Sequence, residues 1–318
     1  MRKPGIKTDS AQGFLKFLLL LKDEHPVNEE EITVKFSLIV PVYNEKESVA
    51  GTIDKLIKTP WQEFPEIIIV DDGSDEKISN NFASVEKVKI IRHEQNRGYG
   101  AALKTGIKNA GYDIIAITDA DNTYPNERIP ELVEMFEKGN FDMVVGARVG
   151  ENVKIPLIRR PAKWSISKLA NYLTEAKIPD INSGLRVMKK KVVEEYLNIL
   201  PDGFSFTSTI TLAMLTNSYK VEYVPIDYFE RKGKSKIRPI HDTLNFIQLI
   251  IRTALYFNPL KIFIPLSLVL ALFAFLVLIG SWFLTGKVMD ITFGVVLMTS
   301  VLVMVVGMLA DLIDKRLK

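Results

Sequence analysis

Two aspartates separated by one residue, Asp119 and Asp121, are the side chains in this sequence best suited to bind a metal ion. They follow an apolar run, Ile114 to Thr118, that predicts a buried strand. Alternate residues of an extended chain point the same way, so both carboxylates would face one spot, where a divalent cation relieves their repulsion. Mg²⁺ and Mn²⁺ suit such a site, together with substrate phosphates. For the triplet alone, a solvated turn rich in aspartate is the alternative.

The elements around this pair indicate the fold class. Five strands are predicted, at Phe36–Pro41, Glu66–Val70, Val88–Ile91, Ile114–Thr118 and Met143–Val145. Helices are predicted at Lys46–Lys58, after the second strand, at Gly98–Ala110 and at Glu127–Lys138. Apolar strands that alternate with helices predict an α/β fold with a mostly parallel sheet and right-handed crossovers.

Polar or glycine-rich segments follow every predicted strand. They are Val42–Glu45, Asp71–Asp75, Arg92–Gly100, Asp119–Asp121 and Gly146–Arg148. Ligands of parallel sheets bind beyond the carboxyl ends of the strands, so this edge is the predicted active site. The third segment, which opens a helix, is either a phosphate cradle or a simple helix-entry turn, and Lys104 lies one helical turn further on.

The composition limits the class of protein. The chain has 318 residues, 47% hydrophobic and 25% charged, with a net charge of +3. These values exclude a disordered chain and argue against nucleic-acid binding. Cysteine is absent, so disulfides and cysteine-based zinc sites are excluded. Residues 262–286 and 291–310 contain no charge, so the average combines a polar body with an apolar tail.

The uncharged segments predict a transmembrane hairpin. Residues 262–286 would extend about 37 Å as a helix, enough to cross a ~30 Å hydrocarbon core, and residues 291–310 form a second span. The outer ends carry basic residues: Arg252, Lys261, Lys315, Arg316 and Lys318. The positive-inside rule therefore places the body in the cytoplasm. Small residues such as Gly294 and Gly307 would allow a homo-oligomer to form through the hairpin.

The predicted domains follow from these segments. They are an N-terminal extension at 1–35, a catalytic domain at 36–236, interfacial amphipathic helices at 237–260, two transmembrane helices at 261–313 and a basic tail at 314–318. The extension is interpreted as an amphipathic docking helix rather than a signal peptide, because Lys16 interrupts its apolar run. A polar stripe from His241 to Arg252 indicates a helix in the membrane interface, with an amphipathic core helix as the alternative.

Four motifs, in their order along the chain, resemble those of family 2 glycosyltransferases, which have the GT-A fold. They are Val40–Glu45, Val70–Ser74, Asn96–Ala102 and Asp119–Asp121. Asp180–Arg186 and Arg231–Lys236 are similar to segments of polyprenyl-phosphate glycosyltransferases, such as the bactoprenol glucosyltransferases and dolichol-phosphate mannose synthases. The resemblance covers about residues 36–240, and the two-helix tail is most similar to the bactoprenol branch.

The resemblance implies roles for individual residues. Residues expected to contact the nucleotide are Pro41, Tyr43, Glu45, Asp72, Gly98, Lys104 and Asp119. Asp121, with Asp119, would hold Mg²⁺ or Mn²⁺, and Arg231, Lys234 and Ser235 would close over the diphosphate. Thr123 stands where some relatives have glutamine, and its shorter side chain reaches less far toward a metal.

Basic residues after the fifth strand indicate a second anionic substrate. Residues 148–163 contain one acidic residue, Glu151, and five basic residues: Arg148, Lys154, Arg159, Arg160 and Lys163. A lipid phosphate fits this charge, and a solvated loop or attraction to anionic headgroups is the alternative. Arg148 and Arg160 are the expected contacts, because they lie at a strand end and a helix start.

The predicted function is metal-dependent, inverting transfer of a hexose, with glucose favoured, from a UDP-sugar to polyprenyl phosphate at the cytoplasmic face of the plasma membrane. GDP-mannose as donor and a diacylglycerol-type acceptor are the alternatives. A processive polysaccharide synthase is disfavoured because the chain has no Arg-Trp pair. A nucleotide-binding scaffold without activity is disfavoured because every strand end carries a motif.

Overall fold

The computed structural model describes residues 34–78, 85–149, 168, 170–229, 255–256, 258–286 and 289–317. The strands of its sheet are β1 (Phe36–Val42), β2 (Glu66–Asp71), β3 (Val88–Arg92), β4 (Ile114–Ile117), β5 (Met143–Ala147), β6 (Arg186–Lys189) and β7 (Val221–Pro225). Their order across the sheet is β3-β2-β1-β4-β6-β5-β7. β6 is antiparallel to its neighbours β4 and β5, whereas the other pairs are parallel. The prediction of a mostly parallel α/β sheet is therefore confirmed.

The single reversed strand has a consequence for the site. Because β6 runs against the others, its first residue, Arg186, pairs with Ile117 at the end of β4. Residues 180–185, which precede β6, therefore lie at the edge where β1 to β5 end. The sequence analysis did not predict β6 or β7.

Helices cover both faces of the sheet. They are α1 (Lys46–Lys58), α2 (Tyr99–Asn109), α3 (Ile129–Lys138), α4 (Lys190–Tyr196) and α5 (Phe206–Thr216), with a 3₁₀ turn at Asn126–Arg128. Alternate residues of β1 point to opposite faces, so Leu38 packs in the core under α1 and α3, while Ile39 packs in the core under α2, α4 and α5. The central strands β1, β2, β4 and β5 are mostly apolar because both of their faces are buried.

The helix predicted after β2 is not observed in the described residues. Residues 72–78 form a turn, and residues 79–84 lie outside the description. The turn is held by the backbone N–H of Ser74, which donates to Asp71 Oδ1 at 2.9 Å. Short aspartate side chains favour such turns because they bond to nearby backbone groups.

Two long apolar helices form a hairpin after the body. α6 (Leu260–Thr285) and α7 (Asp290–Leu317) are long and apolar enough to cross a membrane. The Ser300 hydroxyl donates to the carbonyl of Ser267 at 2.7 Å, and Phe275 meets Phe293 edge-on at 5.4 Å. Gly307, one of the small residues predicted to allow packing across subunits, lies against Phe263 within the hairpin.

Candidate active site

Asp72 organises the turn at the end of β2. It is buried, and it accepts hydrogen bonds from the backbone N–H groups of Arg97 and Gly98 at 2.9 and 2.8 Å. His93 Nδ1 lies 2.7 Å from the same carboxylate, and its Nε2 lies 2.9 Å from the Thr105 hydroxyl. With the proton on Nδ1, the ring donates to Asp72 and accepts from Thr105. These bonds join the end of β2 to the entry of α2.

The entry of α2 is closely packed. Gly98 has a φ of 106°, and a Cβ there would collide with the carbonyl oxygen of Asp202. The same carbonyl accepts a hydrogen bond from Ala101 N–H at 3.0 Å. The amides of Arg97, Gly98 and Ala101 are thus already bonded to protein groups, an arrangement typical of the helix-entry turn. Lys104, expected to face the nucleotide, has its Nζ 2.7 Å from the Asp202 carboxylate.

Segments after β1 and β2 lie side by side. The Asn44 side chain exchanges hydrogen bonds with the Asp75 carboxylate and backbone N–H, at 3.0 and 2.9 Å. Tyr43 is 36% exposed beside them. Glu45 stands at the N-cap position of α1, and its carboxylate accepts a hydrogen bond from the Ser48 hydroxyl at 3.0 Å. Pro41 is buried within β1. The predicted nucleotide residues on β1 therefore lie beside the β2 turn that contains Asp72.

Asp119 is held from two sides. The Tyr99 hydroxyl donates to Asp119 Oδ1 at 2.9 Å. Burial, together with the negative charge of Asp119, raises the pKa of Tyr99 well above its ordinary value, so the phenol stays protonated and remains a donor. On the other side, a Cβ at Gly184 would lie only 2.6 Å from Asp119 Oδ2. The carboxylate is thus fixed between a phenol and a glycine backbone.

Asp121 is oriented by the turn that follows it. Thr123 is completely buried, and its hydroxyl and backbone N–H both donate to Asp121 Oδ1, at 2.5 and 3.1 Å. The carbonyl of Thr123 accepts from Phe229 N–H at 2.9 Å, which joins the turn to the segment after β7. Thr123 therefore fixes the direction of the Asp121 carboxylate.

The donor set at this turn fits Mg²⁺ or Mn²⁺. Two carboxylates without histidine or cysteine are hard oxygen ligands, as these ions prefer. In the parts of the chain that the structure describes, no cluster of three or more acidic, histidine or cysteine side chains forms a metal site. Where Mg²⁺ binds with a nucleotide, its remaining ligands are usually phosphate oxygens and water.

Arg148 forms a bidentate ion pair with Asp180. Its Nε and Nη2 donate to the two carboxylate oxygens at 2.6 and 2.9 Å, and its backbone N–H donates at 3.1 Å. Burial alone would raise the pKa of Asp180, but the hydrogen bonds and charge of Arg148 outweigh burial and lower it. The guanidinium also lies over the Tyr228 ring, 5.1 Å from its centroid.

Tyr124 connects the aspartate side of the edge to the Arg148 side. Its hydroxyl oxygen accepts from Gly184 N–H at 2.6 Å, and its ring meets Tyr228 edge-on at 5.5 Å. Burial and the charge of Asp119 raise the pKa of Tyr124. Asp119 and Arg148 are therefore joined by a continuous series of contacts through Gly184, Tyr124 and Tyr228.

Several residues of this edge were not assigned by the sequence analysis. Tyr99, Tyr124, Gly184 and Asp180 received no role, although the last two lie in a segment quoted for the resemblance. The contacts of Tyr124, Gly184 and Asp180 involve the segment before the antiparallel β6, which no sequence pattern indicated. Arg160, Arg231, Lys234 and Ser235, predicted as site residues, lie outside the described residues.

Arg186 is a further residue without an assigned role. It is completely buried at the start of β6. Its guanidinium donates to the carbonyls of Ser183 and Thr207 and to the Thr211 hydroxyl. Burial lowers its pKa. Arg186 thus ties the loop before β6 to α5.

The mostly parallel sheet, with its polar residues at one edge, places the chain in the structural class of GT-A glycosyltransferases. Glucosyl-3-phosphoglycerate synthase from Mycobacterium tuberculosis has this fold, with a TM-score of 0.53 and 16% identity over 80% of this chain and 84% of that chain. TarS of S. aureus (residues 1–349) matches with a TM-score of 0.52 and 18% identity over 71% and 67% of the two chains. Residues 37–197 match the model described as Glycosyl transferase family 2. The chain belongs to this family and is an enzyme of the glycosyltransferase class.

Several proteins similar to this chain in sequence are named as transferases that act with a polyprenyl phosphate. Dolichyl-phosphate hexose transferase of Haloferax volcanii is 28% identical over 64% of this chain and 86% of its own length. Undecaprenyl-phosphate 4-deoxy-4-formamido-L-arabinose transferase of Pectobacterium atrosepticum is 30% identical over 76% and 73%. Dolichol-phosphate mannosyltransferase of Pyrococcus furiosus is 30% identical over 64% of this chain, which covers only 60% of that protein.

Proposed function

We propose that this enzyme transfers a hexose from a UDP-sugar, glucose being favoured, to polyprenyl phosphate at the cytoplasmic face of the plasma membrane. The observation that carries the proposal is the attachment of an apolar hairpin to a family 2 catalytic body. A soluble acceptor would not require such a hairpin. The names of all three relatives include a polyprenyl phosphate, dolichyl or undecaprenyl phosphate, and this supports the same acceptor.

The donor would bind across the ends of β1, β2 and β4. The base and ribose would lie among four residues: Pro41, Tyr43, Glu45 and Asp72. Lys104 would release the Asp202 carboxylate and bind the nucleotide in its place. Asp121 and Asp119 would hold Mg²⁺ or Mn²⁺, whose positive charge would stabilise the leaving diphosphate. Outside the described residues, Arg231, Lys234 and Ser235 would contribute further charge and hydrogen bonds to the diphosphate. Tyr99 and Thr123 would keep the two carboxylates in place.

The acceptor phosphate would bind on the Arg148 side. A phosphate monoester is already anionic near pH 7, so it needs no strong base to act as a nucleophile. Its oxygen would attack the anomeric carbon while the bond from that carbon to the UDP oxygen breaks, which inverts the anomeric centre. Arg148 and Arg160 would hold the phosphate, and Asp180 would keep the Arg148 guanidinium in a fixed plane.

The hairpin would place this chemistry at the inner surface of the membrane. Basic residues at both outer ends of the hairpin, including Lys261 and Arg316, favour a cytoplasmic location for the body. UDP-sugars are water-soluble, whereas the acceptor is confined to the bilayer, so the reaction has to occur where the two phases meet.

A donor panel tests the proposal. Purified enzyme, Mg²⁺ or Mn²⁺ and undecaprenyl phosphate are incubated separately with labelled UDP-glucose, UDP-N-acetylglucosamine and GDP-mannose, and the organic phase is counted. We expect UDP-glucose to label a lipid that releases glucose on mild acid hydrolysis. Organic-phase label obtained only with GDP-mannose would show that the donor is GDP-mannose. In a parallel incubation with diacylglycerol in place of undecaprenyl phosphate, label found only there would show that the acceptor is diacylglycerol.

Asp121→Asn tests the metal assignment. The substitution removes a negative ligand but keeps the shape and the acceptor oxygen for Thr123, so we expect turnover to disappear while the protein remains folded in membranes. Isothermal titration with Mn²⁺ should show weakened binding in the presence of UDP. An Asp121→Asn enzyme that is active without added metal would refute the assignment.

A further inference from the structure

The first turn of α6 is bonded to the catalytic body in both directions. Lys261 Nζ donates to the carbonyl of Leu173 at 2.9 Å and lies 2.7 Å from the Glu175 carboxylate. In return, the Tyr172 hydroxyl donates to the backbone carbonyl of Lys261 at 3.3 Å. We refer to Tyr172, Leu173, Glu175, Lys261 and Ile262 as the membrane mount.

The lysine is bound where the body presents free backbone acceptors. Residues 170–174 are helical, and Glu175 ends this segment with a left-handed φ of 55°. Carbonyl groups at the end of a helix lack partners within the helix, and they attract positive charge. The Glu175 side chain is 78% exposed, so the ion pair contributes little and the bond to the Leu173 carbonyl is the specific contact.

Apolar packing extends the mount toward the active site. Ile262 packs against a buried cluster that contains Leu173 and Ile178, and Ile181 packs against the same cluster. Asp180 lies between Ile178 and Ile181 in the chain, and its carboxylate accepts two hydrogen bonds from the Arg148 guanidinium. The core that Ile262 contacts therefore includes residues on both sides of Asp180 in the chain.

We propose that the membrane mount is a positioning device for the acceptor: it fixes the depth and orientation of the Arg148–Asp180 pair relative to the bilayer. This inference rests on the proposed function, in which the acceptor phosphate is confined to the headgroup region. If the connection between the catalytic body and α6 were flexible, the active-site edge would stand at a variable depth relative to the headgroups in which this phosphate is confined. A displacement of about 1 Å from a reactive geometry costs on the order of a hundredfold in rate.

If the membrane mount has this role, its loss should lower kcat/KM for a membrane-bound acceptor but not for a water-soluble one. Undecaprenyl phosphate in phosphatidylglycerol vesicles requires the correct depth, whereas geranyl phosphate, which dissolves in water, reaches the site from any direction. Lys261→Met keeps the aliphatic stem but removes both polar contacts of the ammonium group. We expect kcat/KM to fall about tenfold with the vesicle acceptor and to remain within about twofold with geranyl phosphate.

Two variants control the experiment. Lys261→Arg retains a donor for the Leu173 carbonyl, so it should restore most of the activity with vesicles. Lys138→Met removes an exposed ion pair with Glu134, remote from the mount, and should change neither activity. Equal losses of Lys261→Met in both formats, or no loss in either, would overturn the inference. A wild-type enzyme that labels neither acceptor would refute the proposed function and, with it, the purpose of the mount.

Discussion

Gly184→Ala tests a closely packed contact of the candidate active site. The added methyl group would lie 2.6 Å from Asp119 Oδ2 and 2.9 Å from both Cγ and Oδ1. Ordinary van der Waals contact begins at 3.4 Å, so one of the two groups must move by about 0.8 Å. Gly184 cannot move freely, because its N–H is bonded to the buried Tyr124 hydroxyl at 2.6 Å.

The displacement therefore falls mainly on Asp119. Movement away from residue 184 stretches or breaks its 2.9 Å bond from the Tyr99 hydroxyl and turns the carboxylate out of its observed position. A shift approaching 1 Å at a catalytic ligand lowers the rate on the order of a hundredfold, which corresponds to about 2.7 kcal/mol of transition-state stabilisation. We expect this loss in kcat/KM, with a smaller change in thermal stability.

The assay compares Gly184→Ala with a glycine that has space for a methyl group. Gly203 lies in the loop near the entry of α2, and no atom lies within 4 Å of a Cβ built there. Gly203→Ala should therefore have wild-type kcat/KM for UDP-glucose and wild-type affinity for Mn²⁺. If Gly184→Ala also keeps both values, Asp119 does not need its observed position and the proposed role of this carboxylate is wrong.

Two further predictions concern the neighbours of the site. Thr123→Val keeps the shape but removes the hydroxyl that orients Asp121, so Mn²⁺ affinity measured by titration should fall about tenfold, whereas Thr123→Ser should retain it. The pKa of Asp180 is lowered in the folded state, so its pair with Arg148 stabilises the fold fully above the ordinary pKa of 3.8, and this contribution is lost as the pH falls through the lowered value. Urea unfolding between about pH 3 and pH 7 should show that Asp180→Asn is less stable than wild type at pH 7 and that the difference narrows in acid; a constant difference would contradict the assignment.

Much of the fold could be predicted from the sequence because strands buried on both faces are continuous apolar runs. Ile67, Ile68 and Ile69 are completely buried, and no polar residue interrupts the middle of β2. Such runs, separated by helical periodicity, specify parallel pairing with few alternatives. The positions of Asp72 and Asp119 at one edge followed from the same rule.

The second half of the site could not be predicted in the same way. β6 is short and begins with Arg186, a residue that sequence reasoning places at the surface, yet Arg186 is completely buried. Its burial is compensated by the nearby Ser183 carbonyl and by the Thr207 carbonyl and the Thr211 hydroxyl of α5, which are distant in sequence. A long-range arrangement of this kind leaves no periodic signal, so the roles of Tyr124 and Gly184 could only be recognised in three dimensions.

The aromatic connection across the site has a consequence for the proposed transfer reaction. Asp119 and Arg148 carry opposite charges, and a site held together by charge alone would rearrange whenever a metal, a diphosphate or a phosphate altered the balance. Here the two sides are also joined by the edge-on contact of Tyr124 and Tyr228, which is made between uncharged rings. In a direct displacement, the acceptor oxygen and the anomeric carbon must approach within about 3.5 Å. In the proposed reaction, the contact between these two rings would therefore hold the donor side and the acceptor side at one distance, whichever substrate binds first.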